Sequence, residues 1–160
     1  MSNEEMRGNV MKTIFIRIFP KNASNSYTGS KIAFWAFVLI SIVSLVRSCI
    51  HILSPDGGAG SIAGIDLSLG GAESIIFAFA LWGLSQLIYA LIQLLVAFRY
   101  KTLIPLMYLI LIFETLGRIF VGMTKPPVLL HTPPGGLANY IMLPLAVLML
   151  VLSLKGARRM

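Results

Sequence analysis

The sequence predicts an all-α integral membrane protein: four transmembrane helices in an up-down-up-down, left-handed bundle, preceded by an amphipathic interfacial helix. Three observations carry this. Hydrophobic residues make up 57% of the 160 and charged ones only 12%, far from the make-up of a soluble domain. The apolar residues fall in four blocks, 32–53, 74–98, 103–122 and 138–154, each near the ~20 residues a helix needs to cross ~30 Å of hydrocarbon. Ten of the thirteen basic residues lie on one side of those blocks: Arg7, Lys12, Arg17, Lys21 and Lys31 before the first, Arg99 and Lys101 between the second and third, and Lys155, Arg158 and Arg159 after the fourth. The positive-inside rule makes that side the cytoplasm. Residues 1–31 and the basic tail 155–160 are then cytoplasmic, N-in and C-in. The net charge of +7 is accounted for as orientation signal and as attraction to anionic membrane lipids, with no nucleic-acid partner.

The elements follow in order. Val10, Met11, Ile14, Phe15, Ile18 and Phe19 recur at helical spacing, with Lys12, Thr13 and Arg17 opposite and Pro20 as a stop. This predicts an amphipathic helix over 10–19 in the headgroup plane. The alternation of Ile14, Ile16 and Ile18 leaves a short strand as the alternative. Arg17 interrupts the apolar run and no Ala-x-Ala-type cleavage site follows, which argues against a signal peptide. Residues 21–30 form a polar linker. The first outer link, 54–72, holds six glycines and is expected to be a flexible loop. Its glycine run lacks the lysine and the helix start of a phosphate cradle. Its 62–69 segment is apolar enough to dip back into the bilayer under a protein cover.

Pro105 falls in the first turn of span three, where a missing N–H does no harm. The second outer link, through Thr124-Lys-Pro-Pro and His131-Thr-Pro-Pro-Gly-Gly136, is framed by proline and expected to be stiff. Pro144 predicts a kink in span four. Cys49 is the single cysteine, so no internal disulfide forms, and in mid-span it reads as a small hydrophobe. Trp35, Tyr27, Tyr100, Tyr108 and Tyr140 read as interface anchors, whereas Trp82 lies too deep for that role.

Each span carries one stripe of small, polar or methionine residues at alternating steps of three and four: 41-44-48-51, 83-86-90-93-97, 107-111-114-118-122 and 139-142-146-149-153. This 3.5-residue period belongs to left-handed bundle packing. Membrane helices associate through such residues and turn their leucines to lipid.

Within the stripes, Glu114-Thr-Leu-Gly-Arg118 is the one charged interruption of the run from Thr102 to Met123. A carboxylate and a guanidinium four residues apart share a helix face, and in hydrocarbon each costs a few kcal/mol to bury unpaired. At about 1.5 Å per residue, Glu114 and Arg118 lie roughly 16 and 22 Å along span three, and Arg47 and His51 roughly 22 and 28 Å along span one. All four fall in the outer half of the bilayer. This predicts an outward-opening polar pocket lined by Arg47, His51, Glu73, Glu114, Arg118 and Asn139, with Lys125 and His131 at its rim. Two arginines against one glutamate leave an excess positive charge, which calls for a headgroup, a carboxylate ligand or water. The competing reading is a structural ion pair that pins the helices in register.

Other chemistries fit less well. Only two histidines exist and no zinc-type ligand spacing does, so no metal is expected. Haem ligation by His51 lacks a second axial partner at its depth, and no cofactor is expected. Ser44 and Ser48 share a face with His51, but mid-span serines commonly bond back to their own helix. Gln86, Gln93, Glu114 and His51 form a polar ladder of the kind a proton or ion path uses, and the two glutamines also suit plain hydrogen bonding between helices.

Four short spans, the basic inner turn Arg99-Tyr-Lys101 and the Glu114-Thr-Leu-Gly-Arg118 pair are together similar to the small four-helix inner-membrane families of bacteria, DoxX-like in appearance. The resemblance covers spans two and three best. It implies a bacterial cytoplasmic membrane and carries over no activity. The expectation is a non-enzymatic membrane protein. It would hold a lipid headgroup or small anionic ligand, or serve as accessory subunit of a larger membrane complex. The alternatives are an enzyme on a lipid headgroup with His51 and Glu114 as acid and base, and a small homo-oligomeric transporter or channel.

Overall fold

The computed structural model describes residues 3–68 and 70–155, so Arg158 and Arg159 of the expected basic tail lie outside the described residues. The chain is all-helical: α1 Asn3–Ile18, α2 Lys31–Leu53, α3 Ala72–Arg99, a 3-10 turn Lys101–Leu103, α4 Ile104–Thr124 and α5 Pro134–Leu154. The last four helices, with the turn joined to α4, are long and apolar enough to cross a membrane. They pack as two hairpins, α2 with α3 and α4 with α5, joined mainly through α2 against α5. One end of the bundle gathers the α1 segment, the 21–30 linker, the α3–α4 turn and the end of α5. The other carries the two links and is called the loop end below.

Two boundaries differ from the sequence reading. The N-terminal helix begins at Asn3, not at residue 10, because Glu4 and Glu5 in its first turn complement the helix dipole and extend it upstream of the apolar stretch. The strand alternative is excluded. Val10, Met11, Ile14, Phe15 and Ile16 stay exposed, while Arg17 donates to the Leu154 carbonyl and anchors α1 against the C-terminus of α5. Span four begins at Pro134 instead of 138. The Pro-Gly-Gly read as link is its first turn, since proline is pre-set for a helix start and lacks only an N–H that would go unpaired.

The core lies in the half away from the loop end. Phe37 and Tyr108 meet edge to face at 5.6 Å among buried Ala33, Val96, Ala97, Ile104, Met107 and Met149. Tyr108, expected at the interface, is fully buried, and its hydroxyl donates to the Ala33 carbonyl at 2.6 Å. The linker is tied across this end. Ser30 N donates to Leu152 O at 3.1 Å, and Ser24 and Thr102 exchange backbone and side-chain hydrogen bonds.

The predicted stripes are largely the buried faces. On α3 Gly83, Gln86, Ala90, Gln93 and Ala97 are all buried, on α2 Ser41, Ser48 and His51, and on α5 Ala146, Met149 and Ser153. Gly83 sets the α2–α3 approach: a Cβ there would lie 2.6 Å from His51 Cβ and 3.3 Å from its carbonyl carbon. The stripe on α4 departs from expectation. Met107 and Leu111 are buried, but Thr115 replaces Glu114 on the innermost line, and a Cβ added at Gly122 would meet nothing within 4 Å.

The first link is a hydrogen-bonded cap rather than an open loop. Asp56 organises it, accepting from Ser54 Oγ at 2.7 Å, Gly58 N at 2.8 Å and Ser61 N at 2.7 Å. Gly57, Gly58 and Ala59 are buried beneath. Gly58 has φ +73° and lies against the His51 ring, so a side chain there would be strained and crowded. These bonds favour the carboxylate and hold the Asp56 pKa well below the ordinary range, the Ser61 and Ser54 bonds contributing most. A depressed pKa gives stability that is present above the ordinary carboxylate range and lost as pH falls toward the folded value. Thermal melting should therefore fall with acidification below about pH 4 in the wild type, and much less in Asp56→Asn, which cannot titrate. Equal acid sensitivity of the two proteins would show that Asp56 does not cap the link.

Candidate functional site

Burial along the helices shows where a cleft opens. On α2 the buried face runs to the loop end, through His51, whereas on α3 it stops at Gly83 and nothing is buried from 72 to 82. On α4 and α5 the buried faces stop at Thr115 and Ala146, and nothing is buried from 116 to 124 or from 134 to 145. The two hairpins therefore pack tightly at the terminal end and leave the loop-end half of their contact uncovered. Across the top the links touch: Leu130 N donates to Gly64 O at 2.7 Å, beside an antiparallel bridge between Ile65 and Leu129.

The cleft wall built by α2 and α3 centres on Trp82. The Arg47 guanidinium carbon lies 5.5 Å from its ring centroid and that of Arg118, from α4, lies 5.9 Å away. Both distances are within the range of cation–π attraction, worth ~0.5–2 kcal/mol each. Arg47 Nη2 donates to Gln86 Oε1 at 2.7 Å, and Arg118 Nη2 donates to Glu114 Oε1. The pair is open to the outside, with 28% of the Arg118 side chain and 31% of the Glu114 side chain exposed. Arg47 also feels the charges of both Arg118 and Glu114. The cluster thus holds two guanidiniums and one carboxylate, an excess of one positive charge in the middle of a span.

Deeper along the same face of α3 lie Tyr89 and Gln93. Gln86 Nε2, Tyr89 Oη and Gln93 Oε1 are buried without a hydrogen-bond partner among the described residues. Tyr89 and Gln93 are four residues apart and share that face of the helix. Below Gln93 the polar tract ends at the Phe37–Tyr108 core.

Of the eight residues expected to line a pocket, the structure brings three together: Arg47, Glu114 and Arg118. His51 stands next to them through Trp82, at 4.9 Å between ring centroids, but its Nδ1 is engaged with the Gly57 carbonyl at 2.7 Å. It links α2 to the glycine cap and makes no bond to Glu114. Glu73 is exposed in the first turn of α3, Lys125 is exposed past α4, and Asn139 is half-buried on α5. None of these three makes a side-chain hydrogen bond or ion pair among the described residues. His131 is exposed, with its ring over Gly64, where a Cβ would lie 2.9 Å from it. Ser41 and Ser48 donate to the carbonyls of Phe37 and Ser44, four residues back. Among the described residues no three His, Cys, Asp or Glu side chains gather at a spacing that could hold a metal ion.

Sequence reasoning missed Trp82 and Tyr89 as site residues. A signal for the first was present: a tryptophan too deep to anchor an interface, one turn from Gln86 and level with the arginines. Tyr89 carried none, since it lies one residue from the buried Ala90. Comparison with protein-family models, with curated proteins and with solved structures yields no match.

Proposed function

We propose that this chain is a non-enzymatic membrane protein that holds an anion, a lipid headgroup or small anionic ligand, in the cleft between its two hairpins. One observation carries the reading: Arg47 and Arg118 converge on Trp82 with a single carboxylate between them. An uncompensated guanidinium in hydrocarbon is costly, and a bidentate anion relieves it. The one-third exposure of Glu114 and Arg118 at this depth gives the site a lateral opening toward lipid. Native mass spectrometry of the full chain in mild detergent tests it, with about one anionic lipid or ligand retained per protein as the expected result. Protein that carries no anion after purification from anionic membranes would contradict it.

The alternatives draw less support. An acid–base pair of His51 and Glu114 needs the two within reach of each other, yet they bond to Gly57 and Arg118. A transport path needs a polar route open at both ends, and this one meets the Phe37–Tyr108 core. A role as accessory subunit has one favourable observation, the uncovered Gly117 and Gly122 on α4.

We further propose a bacterial cytoplasmic membrane, with both termini in the cytoplasm, from the ten basic residues that in sequence precede the first span, join the second to the third and follow the fourth. A reporter active only in the cytoplasm should work when fused after Met160. Activity there of a reporter that needs the periplasm would invert the assignment.

A further inference from the structure

We propose that the polar cavity at the terminal end of the bundle binds a phosphate group, carried by a soluble phosphate ester or by a lipid headgroup, with Arg17 as its forked donor. The cavity has a volume of about 150 Å³, and Arg17, Ser26, Thr28, Thr102 and Ser153 form its polar wall. At ~30 Å³ per water that is room for roughly five waters, which suits the five atoms of a phosphate group. It lies at the opposite end from the cleft of Arg47 and Arg118, and the proposal stands apart from that reading.

Bonds between separate elements hold the walls in place. Arg17 of α1 donates to the Leu154 carbonyl of α5. Ser30 N donates to Leu152 O at 3.1 Å, and Ser24 N donates to Thr102 Oγ1 at 2.9 Å. Gly29 lets the linker press onto α5 so closely that a Cβ there would lie 2.4 Å from Ser153 O. Helix α1, the linker and the starts and ends of α4 and α5 thus enclose a preformed hollow.

Charge selects an anion. The sequence has no Asp or Glu between Glu5 and Asp56, between Glu73 and Glu114, or after Glu114. Glu5 is twelve residues from Arg17, ~18 Å along α1. Lys21 follows the wall residue Pro20, Lys101 precedes Thr102, and Lys155 follows Leu154. Arg17 makes no ion pair among the described residues, and its bond to Leu154 engages one of five N–H donors. The C-terminus of α5 brings the negative end of a helix dipole, but Arg17 and Ser30 N cover its Leu154 and Leu152 carbonyls. The start of α4, at Pro105, brings the positive end of another.

Free donors then favour a tetrahedral oxyanion. The hydroxyls of Ser26 and Thr28 make no hydrogen bond among the described residues, and the backbone N–H groups of Tyr27, Thr28 and Gly29 make none either. All four residues line the cavity. A phosphate has oxygens for the guanidinium fork and for hydroxyls at the same time. With a single guanidinium in an open hollow, binding is at about millimolar strength. The site therefore fills from its surroundings and empties on purification, unlike the cleft.

The test titrates the full chain, in maltoside micelles that carry no phosphate, with inorganic phosphate. Binding is read from broadening of the phosphate ³¹P resonance. Saturable binding of about one phosphate per chain is expected for the wild type. Arg17→Gln should weaken it about tenfold, the scale of one hydrogen bond to a charged group. Arg17→Lys, which keeps the charge and loses the fork, should weaken it as well. Ser26→Ala/Thr28→Val should also weaken it about tenfold, and it leaves the bond from Arg17 to Leu154 in place should Arg17→Gln release α1. Arg47→Met should leave this binding unchanged. Phosphatidic acid added to the micelles separates the two sources: suppression of the inorganic phosphate signal supports a lipid headgroup, and no suppression supports a soluble phosphate ester. Absence of saturable binding would overturn the proposal. So would binding that is unchanged in both Arg17→Gln and Ser26→Ala/Thr28→Val, or that is lost only in Arg47→Met.

Discussion

Glu114→Ala should lower the stability of the bundle by about 3–5 kcal/mol, the scale on which breaking a buried pair leaves its partner uncompensated. Among the described residues Glu114 is the one carboxylate bonded to either arginine, and without it Arg118 and Arg47 face each other across Trp82 as two unneutralised cations. Glu114→Gln keeps the shape and an accepting oxygen, so its loss should be smaller. Arg47→Met combined with Glu114→Ala should recover part of the stability, because the second change removes half of the excess charge. Thermal melting in one detergent at constant salt measures all three. Wild-type melting for Glu114→Ala would mean that Arg118 reaches the interface on its own and that the cluster carries no strain of charge.

Gly83→Leu should cost about 3 kcal/mol, at the upper end of what overpacking brings. The Cβ alone would meet His51 Cβ at 2.6 Å and the His51 backbone at 3.3 Å, and a backbone atom cannot swing aside. Replacing glycine within a helix returns about 1 kcal/mol of propensity, which falls short of the clash. Gly83→Ala isolates that comparison and should be destabilising by less. The damage should also spread, because pushing α2 away pulls His51 from the Gly57 carbonyl and from Trp82. Loss of anion retention should therefore accompany the loss of stability in Gly83→Leu. A variant that melts as the wild type does would show that the hairpin is not set by this contact.

Much of the architecture was legible because a membrane forces simple rules on sequence. Span lengths follow hydrocarbon thickness, and the small or polar stripes through Ser41, Gly83, Gln93 and Ala146 mark buried faces since lipid gives apolar side chains no reason to turn inward. The pairing of Glu114 with Arg118 followed from their spacing alone. Arg47 joined them by depth, an estimate that holds because helix rise is uniform.

Tertiary contacts were not legible in the same way. His51 lies one turn beyond Arg47 on the same face, so sequence could not say that a glycine carbonyl six residues on would engage its Nδ1. Glu73 and Asn139 were placed in the pocket by depth, and depth says nothing of azimuth or of how far two hairpins diverge. The glycine run 57–60 read as a loose loop because its order comes from one carboxylate, Asp56, bonding three partners within five residues. Pro134 read as a link residue because the same dipeptide serves equally to end a loop or to open a helix.

The measurement that most directly tests the cleft as an anion site is lipid retention beside melting for Arg47→Met/Glu114→Leu/Arg118→Met. A pair that only braces the helices can be exchanged as a unit for apolar groups of similar volume at little cost in stability. Anion binding cannot survive that exchange, since the two guanidiniums are the forked donors of the cleft. The expected result is a variant that melts near the wild-type temperature and no longer carries anionic lipid or ligand through purification. Normal melting together with wild-type retention of the anion would contradict the account and leave Glu114 and Arg118 as a brace.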